Sequence, residues 1–311
     1  MTITKIHPII HHTFSTNSSA QDYLYVVVAI KYAIESLRAN DCFTKPTLIT
    51  NYNDIIRAGP GGDLSNLNLQ DLCKIFDVDD KDYTPYFSIG QMPHDGINNK
   101  NWEFRCYKRF ADMLAFANSI ESVANHGNLY LHIDSDLLIT TTGHILLQDI
   151  IHSMKSESIQ EISNNNVVLA PFTKTTYFSL WSKNALFEFC AKCIPSYFQH
   201  CHAEVQARCS DMHALDFSVT NSMLKYYKLQ LTADNQSEIH SLSGFLENRG
   251  VLNTDSLVPS FEQIKNLVAP TIICRDSNFV APFRFIHLQG WSKRYADIFL
   301  RIIDSEDSQH A

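Results

Sequence analysis

The sequence predicts an α/β fold whose ligands meet the carboxyl edge of a parallel sheet. Two observations carry this expectation. Residues 5–50 run strand, helix, strand, with polar residues where the strands end. Further on, the apolar run Leu129-Tyr130-Leu131-His132-Ile133 rises into Asp134-Ser135-Asp136 and resumes as Leu137-Leu138-Ile139, the pattern of a buried strand that ends at a charged turn.

The elements follow in order. Residues Lys5 to Phe14, with Ile6, Ile9 and Ile10 among histidines, suit a first strand. Asp22 to Leu37 carries the apolar positions of a buried helix, and Pro46 to Thr50 reads as a second strand ending in Asn51-Tyr52-Asn53-Asp54. Residues 58–100 are irregular, with a short helix and a candidate strand at Tyr86 to Ile89. Gly59-Pro60-Gly61-Gly62 reads as a mobile loop, because it lacks the GK[ST] ending of a phosphate-binding loop. Trp102 to Ala124 reads as a helix that delivers Arg105, Lys108 and Arg109 just ahead of the acidic strand. Charges on a helix are usually a solvated face, but three within little more than one turn also suit phosphate oxygens.

In extended chain, side chains at i and i+2 share a face, so the carboxylates of Asp134 and Asp136 can converge on one ion. The same Asp-Ser-Asp also suits an ordinary turn or a helix cap. Downstream, Gly143 to Ser156 reads as helix, Asn164 to Asn166 as a turn, Val167 to Ala170 as a short strand, and Phe178 to Ser182 as the lead into a helix from Lys183. Cys190, Cys193, His200, Cys201, His202, Cys209 and His213 supply zinc-like ingredients. Phe187, Cys190, Ile194 and Phe198 also form an apolar stripe, on which cysteine is a common core residue and Pro195 a kink. Ser210 to Asp216 holds two acids near a helix start, where Asp211 could serve as cap or first-turn acid. Residues 229–259 are irregular and polar. Near the end, a strand Phe283 to His287 delivers a histidine, Gly290 permits a tight turn, and Lys293 follows; a lone histidine there is more often a packed core residue.

Composition narrows the function. The chain has 311 residues, a net charge of −8 and no dense Lys/Arg run, which argues against nucleic acid as a partner. The N-terminus lacks a charged-then-apolar leader and no segment has the apolar length of a bilayer span, which points to the cytoplasm. Eight irregularly spaced cysteines in a chain well supplied with core residues read as reduced thiols. The last helix, Arg294 to Ile303, reads as a docked core helix by its spacing, with peripheral membrane contact as the alternative.

Taken in order, a basic helix, an apolar strand ending in Asp134-Ser135-Asp136, the segment Asp211-Met212-His213-Ala214-Leu215-Asp216 and the terminal His287-Leu288-Gln289-Gly290-Trp291-Ser292-Lys293 resemble a GT-A fold glycosyltransferase. The order is most similar to the family-8-like enzymes, which carry Asp-x-Asp, an Asp-Gln-x-x-x-Asn-type segment and a C-terminal His-x-x-Gly-x-x-Lys. Met212 and Asp216 stand where Gln and Asn belong in the middle motif. The resemblance implies one GT-A (Rossmann-like) domain over residues 1–311, a mixed, mostly parallel central sheet flanked by helices, with irregular insertions near 55–100 and 229–260. It implies a metal, Mn²⁺ or Mg²⁺, on Asp134, Asp136 and His287, and a nucleotide-diphosphate sugar donor, UDP-sugar first, on Asp134, Arg105, Lys108, Gly290 and Lys293. Asp211 and Asp216 become the candidates for contacting the sugars or activating an acceptor hydroxyl. A role in glycan or polysaccharide synthesis at the inner face of the membrane would follow. Two other readings stand beside it: a HAD-type metal-dependent phosphatase or phosphotransferase, and a sugar-nucleotide-binding module without catalysis. The HAD motif normally opens its domain and carries Thr or Val where Leu138 stands here.

Overall fold

A computed structural model describes residues 5–14, 18, 20–37, 41–53, 69–79, 81–93, 99–120, 127–139, 166–169, 176–203, 209–228, 239–241, 285–288 and 290–307. The strands are β1 (Ile6–His11), β2 (Thr47–Thr50), β3 (Lys74–Asp77), β4 (Leu129–Asp134), β5 (Leu137–Ile139), β6 (Asn166–Leu169), β7 (Phe178–Ser182), β8 (Lys225–Lys228), β9 (Ile239–Ser241) and β10 (Phe285–His287). The helices are α1 (Ala20–Leu37), α2 (Leu69–Leu72), α3 (Lys100–Ile120), α4 (Lys183–Glu188), α5 (Ile194–Ala203), α6 (Asp211–Thr220) and α7 (Ala296–Asp307).

Seven strands form the main sheet in the order β3-β2-β1-β4-β7-β6-β8. The pairs β3/β2, β2/β1, β1/β4 and β6/β8 are parallel, while β7 runs antiparallel to both β4 and β6. The sheet is therefore mixed and mostly parallel, as expected. A second sheet, β5-β10-β9, pairs the segment just after the acidic turn with the far end of the chain: Ile139 lies opposite Phe285 and Leu137 opposite His287.

The alternation of side chains along a strand sorts the core into two layers. Ile6, Ile10, Leu129, Leu131 and Ile133 face α1, α7 and the small sheet. Ile9, Ile49 and Tyr130 face α3, α4, α5 and α6. Covering both faces explains why β4 reads as a nearly continuous apolar run rather than an alternating one. His132, fully buried, shares its face with Tyr130, and Asp134 follows two residues later at the strand end.

Local chemistry explains most boundaries. The Ser182 hydroxyl accepts from the Ala185 N–H at 3.1 Å and starts α4, and Ser210 caps α6 by accepting from the His213 N–H. Between α4 and α5 the chain widens into a π turn over Phe189–Cys193, where Ile194 N–H reaches back to Phe189 O. This wider turn immediately precedes Pro195, which has no N–H to give, so the irregularity expected there is absorbed without ending the helical path. The apolar stripe of α7 packs on α1: the Phe299 ring lies 6.4 Å from that of Tyr32, and the Tyr32 hydroxyl donates to Phe299 O at 3.3 Å. That is the docked core helix of the first expectation, with its apolar face already covered by protein. No helix among the described residues is long and apolar enough to cross a membrane.

Several expectations need correction. The strand in the irregular segment is Lys74–Asp77, whereas Tyr86 to Ile89 is a turn in which Ser88 bridges Tyr83. KIFD is a four-residue edge strand exposed at both ends, too short to show a period. Phe178 to Ser182 is itself a fully buried strand, and Ile239–Ser241, inside the segment read as irregular, forms β9. The Gly59-Pro60-Gly61-Gly62 loop, the helix expected at residues 143–156 and the turn at residues 164–165 lie outside the described residues.

Phe110 is the hub of the second layer, with ring centroids 5.0 Å from Phe189 and 5.2 Å from Trp181, all three fully buried. Phe110→Ala is expected to cost about 3–5 kcal/mol by loss of transfer energy and creation of a cavity. The difference in urea unfolding free energy measures it.

Candidate metal and donor site

The site grows from the carboxyl end of β4. Register places His11 beside Asp134, so the ends of β1 and β4 meet on one edge. Asp134 N–H donates to Tyr177 O at 2.9 Å and closes the strand. Ser135 and Asp136 then form a turn, so the extended-chain argument for two carboxylates on one face fails at this point. Asp134 leans toward the helical layer and Asp136 toward the small sheet, yet their oxygens stay close because β5 folds the chain straight back onto β10. The Leu288 N–H donates to Asp136 O at 2.8 Å, and the His287 Nε2 lies 3.0 Å from Asp136 Oδ1. One ligand atom from each of Asp134, Asp136 and His287 lies within 4.8 Å of the others, the one such group of three among the described residues.

This donor set fits a hard divalent cation. Two carboxylates and one imidazole match magnesium or manganese chemistry, with imidazole tilting toward manganese. Lys293, carried by the 3₁₀ turn Gly290–Tyr295, places its ammonium 3.0 Å from Asp136 Oδ2 and 4.5 Å from the centre of the Tyr25 ring. Burial acts to raise the Asp136 carboxyl, but the hydrogen bond and charge of His287, with the Lys293 ammonium, outweigh it and hold it well below the ordinary carboxylate range.

Asp134 sits in different company. The Arg109 guanidinium bonds to Asp134, to Asp211 at the start of α6 and, at 2.9 Å, to the Thr176 hydroxyl. Burial pushes the Asp134 carboxyl up to about 6; Arg109 pulls it down and the Asp136 charge raises it again. Burial alone would lower Arg109, but Asp134 and then Asp211 hold its proton firmly. Beside this triad, Asp112 accepts from the Lys108 ammonium at 2.8 and 2.9 Å and lies 2.9 Å from His11 Nε2. The basic face of α3 is thus not solvated, since Lys108 and Arg109 are both buried in carboxylate pairs. Arg105, half-buried, stands one turn earlier.

The expected residues therefore divide. Asp134, Asp136, His287 and Lys293 come together, Gly290 opens the turn that carries Lys293, and Asp211 joins through Arg109. Asp216 stands on the exposed side of α6, about 140° around the helix axis from Asp211. Lys108 is engaged by Asp112. The Cys/His-rich segment does not gather into a group of three ligands among the described residues. Cys190, Cys193 and Cys201 are core residues, and the His202 ring lies 3.0 Å from Gln91 O. Sequence reading missed His11, His12, Asp112 and Thr176. The two histidines sit where β1 ends, and the rule that singled out Asn51 at the end of β2 applies to them equally.

No family model matches the chain, and no curated protein matches it. Among solved structures, mouse xyloside xylosyltransferase 1 in its apo form is similar, with a TM-score of 0.45 at 10% identity, covering 91% of this chain and 97% of that one. The 4-diphosphocytidyl-2C-methyl-D-erythritol synthase of Anaerococcus prevotii follows with a TM-score of 0.37 at 10% identity, covering 80% and 96%. A further 4-diphosphocytidyl-2C-methyl-D-erythritol synthase reaches 0.36 at 8% identity, covering 80% and 100%.

Two outcomes follow from the buried charges. Arg109→Ala strands two carboxylates and is expected to cost about 3–5 kcal/mol, measurable by urea unfolding at pH 7.5 in chelator. In chelator, stability is also expected to fall with pH below 6.5. Burial lowers His11 and His132, lowers His7 to about 4 and lowers His12 to about 3, so their contribution is complete above the unfolded value of 6.5 and is lost as pH falls through the folded values. Asp134 acts oppositely: raised from 3.8 to about 6, its contribution is present below 3.8 and lost as pH rises through 6. Four histidines outnumber one carboxyl, each group worth up to about 1.4 kcal/mol per pH unit. The urea midpoint at pH 5 should lie below that at pH 7.5.

Proposed function

We propose that the chain is a GT-A-type, metal-dependent glycosyltransferase that moves a sugar from a nucleotide-diphosphate sugar to a hydroxyl acceptor. The observation that carries this reading is the meeting of Asp134 and Asp136 with His287 and Lys293, residues some 150 positions apart, at the carboxyl edge of the sheet. Mn²⁺ is the cofactor placed first and Mg²⁺ second, held by Asp134, Asp136 and His287. When bound, the cation would supply Lewis-acid stabilisation to the departing diphosphate.

The chain's own residues divide the remaining work. Lys293 adds a second positive charge where negative charge grows on the leaving oxygens, and its side chain is one-third exposed, so it can reach them. Asp134 meets the donor ribose as well as the metal. Arg109 fixes the carboxylates of Asp134 and Asp211 relative to one another, which orients the edge on which the sugar would lie. Asp211, buried against Arg109 beside Asp134, takes the sugar-facing role in preference to the exposed Asp216. Arg105, half-buried one turn before Arg109, is the α3 cation assigned to the donor phosphates. A UDP-sugar is the first donor to test, and a glycan hydroxyl the first acceptor.

A thermal-shift screen of UDP- and GDP-sugars with Mn²⁺ tests the reading. A true donor at 100 times its Kd should stabilise the fold by about 2.7 kcal/mol. Chelator should abolish that shift, as should Asp136→Ala, with the variant still folded by circular dichroism. Titration calorimetry showing no binding of any UDP- or GDP-sugar in Mn²⁺ would sink the transferase reading.

A further inference from the structure

His12, immediately after β1, is no member of the ligand group, yet it touches the turn that carries it. Its backbone N–H donates to Ile49 O at 3.0 Å, which anchors the residue to β2. Its ring is wedged between aromatic side chains, 4.4 Å from Phe14 and 5.5 Å from Tyr25 by centroid, both edge-on. The two nitrogens are engaged on opposite sides: Nδ1 lies 2.9 Å from Ser135 Oγ, and Nε2 lies 3.5 Å from the Tyr25 hydroxyl. The shorter contact, to Ser135, is the stronger one. Burial keeps the ring neutral, so one nitrogen donates and the other accepts.

We propose that His12 is a positioning residue for the candidate metal site, holding the Asp134-Ser135-Asp136 turn through its Nδ1 contact with Ser135, with Tyr25 behind it. The reasoning is one of degrees of freedom. Asp134 is tied at its backbone to Tyr177, and Asp136 at its backbone to Leu288. Ser135 stands between them, and its hydroxyl is held by His12. Without that tie the peptide planes on either side of Ser135 can rotate, and the two carboxylates lose their fixed separation. Tyr25 links both sides of the turn, because its hydroxyl faces His12 while its ring face carries the Lys293 ammonium that pairs with Asp136. Groups that orient metal ligands in this indirect way are worth roughly 10–100-fold in metal affinity. The proposal rests on the metal reading above and specifies how the chain preorganises that site.

Mn²⁺ alone is the probe, with free ion followed by electron paramagnetic resonance during titration of the unaltered protein and of His12→Leu, His12→Asn, Ser135→Ala and the His12→Leu/Ser135→Ala double variant. His12→Leu and Ser135→Ala should each weaken Mn²⁺ binding by about 10-fold or more. The double variant should be no weaker than the worse single one, since both remove the same contact. His12→Asn, whose amide nitrogen can take the place of Nδ1, should restore most of the affinity that His12→Leu loses. Wild-type affinity in Ser135→Ala, additive losses in the double variant, or equal losses in His12→Asn and His12→Leu would overturn the proposal. Should His12→Leu fail to fold, Ser135→Ala and His12→Asn decide it. Absence of Mn²⁺ uptake by the unaltered protein removes the metal reading itself. Uptake that is lost in Asp136→Ala but untouched in Ser135→Ala removes only the role of His12.

Discussion

Holding Asp134 and Asp211 in one buried place sets two like charges against each other in surroundings poor in water, and the guanidinium of Arg109 makes that arrangement stable. Arginine suits the position because its planar fork can serve two carboxylates and a hydroxyl at once, and it stays charged when buried. Much follows from this one side chain. It ties α3 to the end of β4 and to the start of α6, so the three elements are fixed relative to one another. It also leaves Asp134 with one oxygen turned toward Asp136 and His287, where the candidate ligand group forms.

The second constraint is topological. The reversal at Ser135 and Asp136 sends β5 off the main sheet and onto β10, and that pairing brings His287 and Lys293 to the acids. The small sheet is therefore the device that completes the site, and its core of Leu137, Leu138, Ile139 and Ile286 is continuous with the packing of α1 and α7. Tyr25 on α1 extends the same logic, since it meets both His12 and Lys293. Stability and site geometry share side chains here, which is why the substitutions that probe one must be checked against the other.

Charge on α3 shows where general rules gave way to context. Three basic residues close together on a helix ordinarily face water, and here two of them are spent in the interior, Lys108 on Asp112 and Arg109 on Asp134 and Asp211. Each is matched by a carboxylate, so the burial is consistent with the rule that interior charges are paired. Spacing along the helix could not reveal that Lys108 and Arg109 are the two taken inside.

Local sequence alone determined the parallel opening of the sheet, the buried strand that ends in Asp134, Asp211 as a first-turn acid of α6 and the docked last helix, because apolar periodicity and first-turn charges act over a few positions; that Ser210 is the cap came from the structure. Asp134, Asp136 and His287 were legible for the same reason: each borders an apolar run. The antiparallel β7, the edge strand Lys74–Asp77 and the short β9 were not, since a strand of three to five residues carries too little periodic signal to be assigned or oriented. Only the tertiary structure decided that Asp211 is buried against Arg109 while Asp216 is exposed, that Arg109 bridges two acids, and that His12 reaches the turn through Ser135. Those facts depend on contacts between residues 25 to 123 positions apart, which no local pattern encodes.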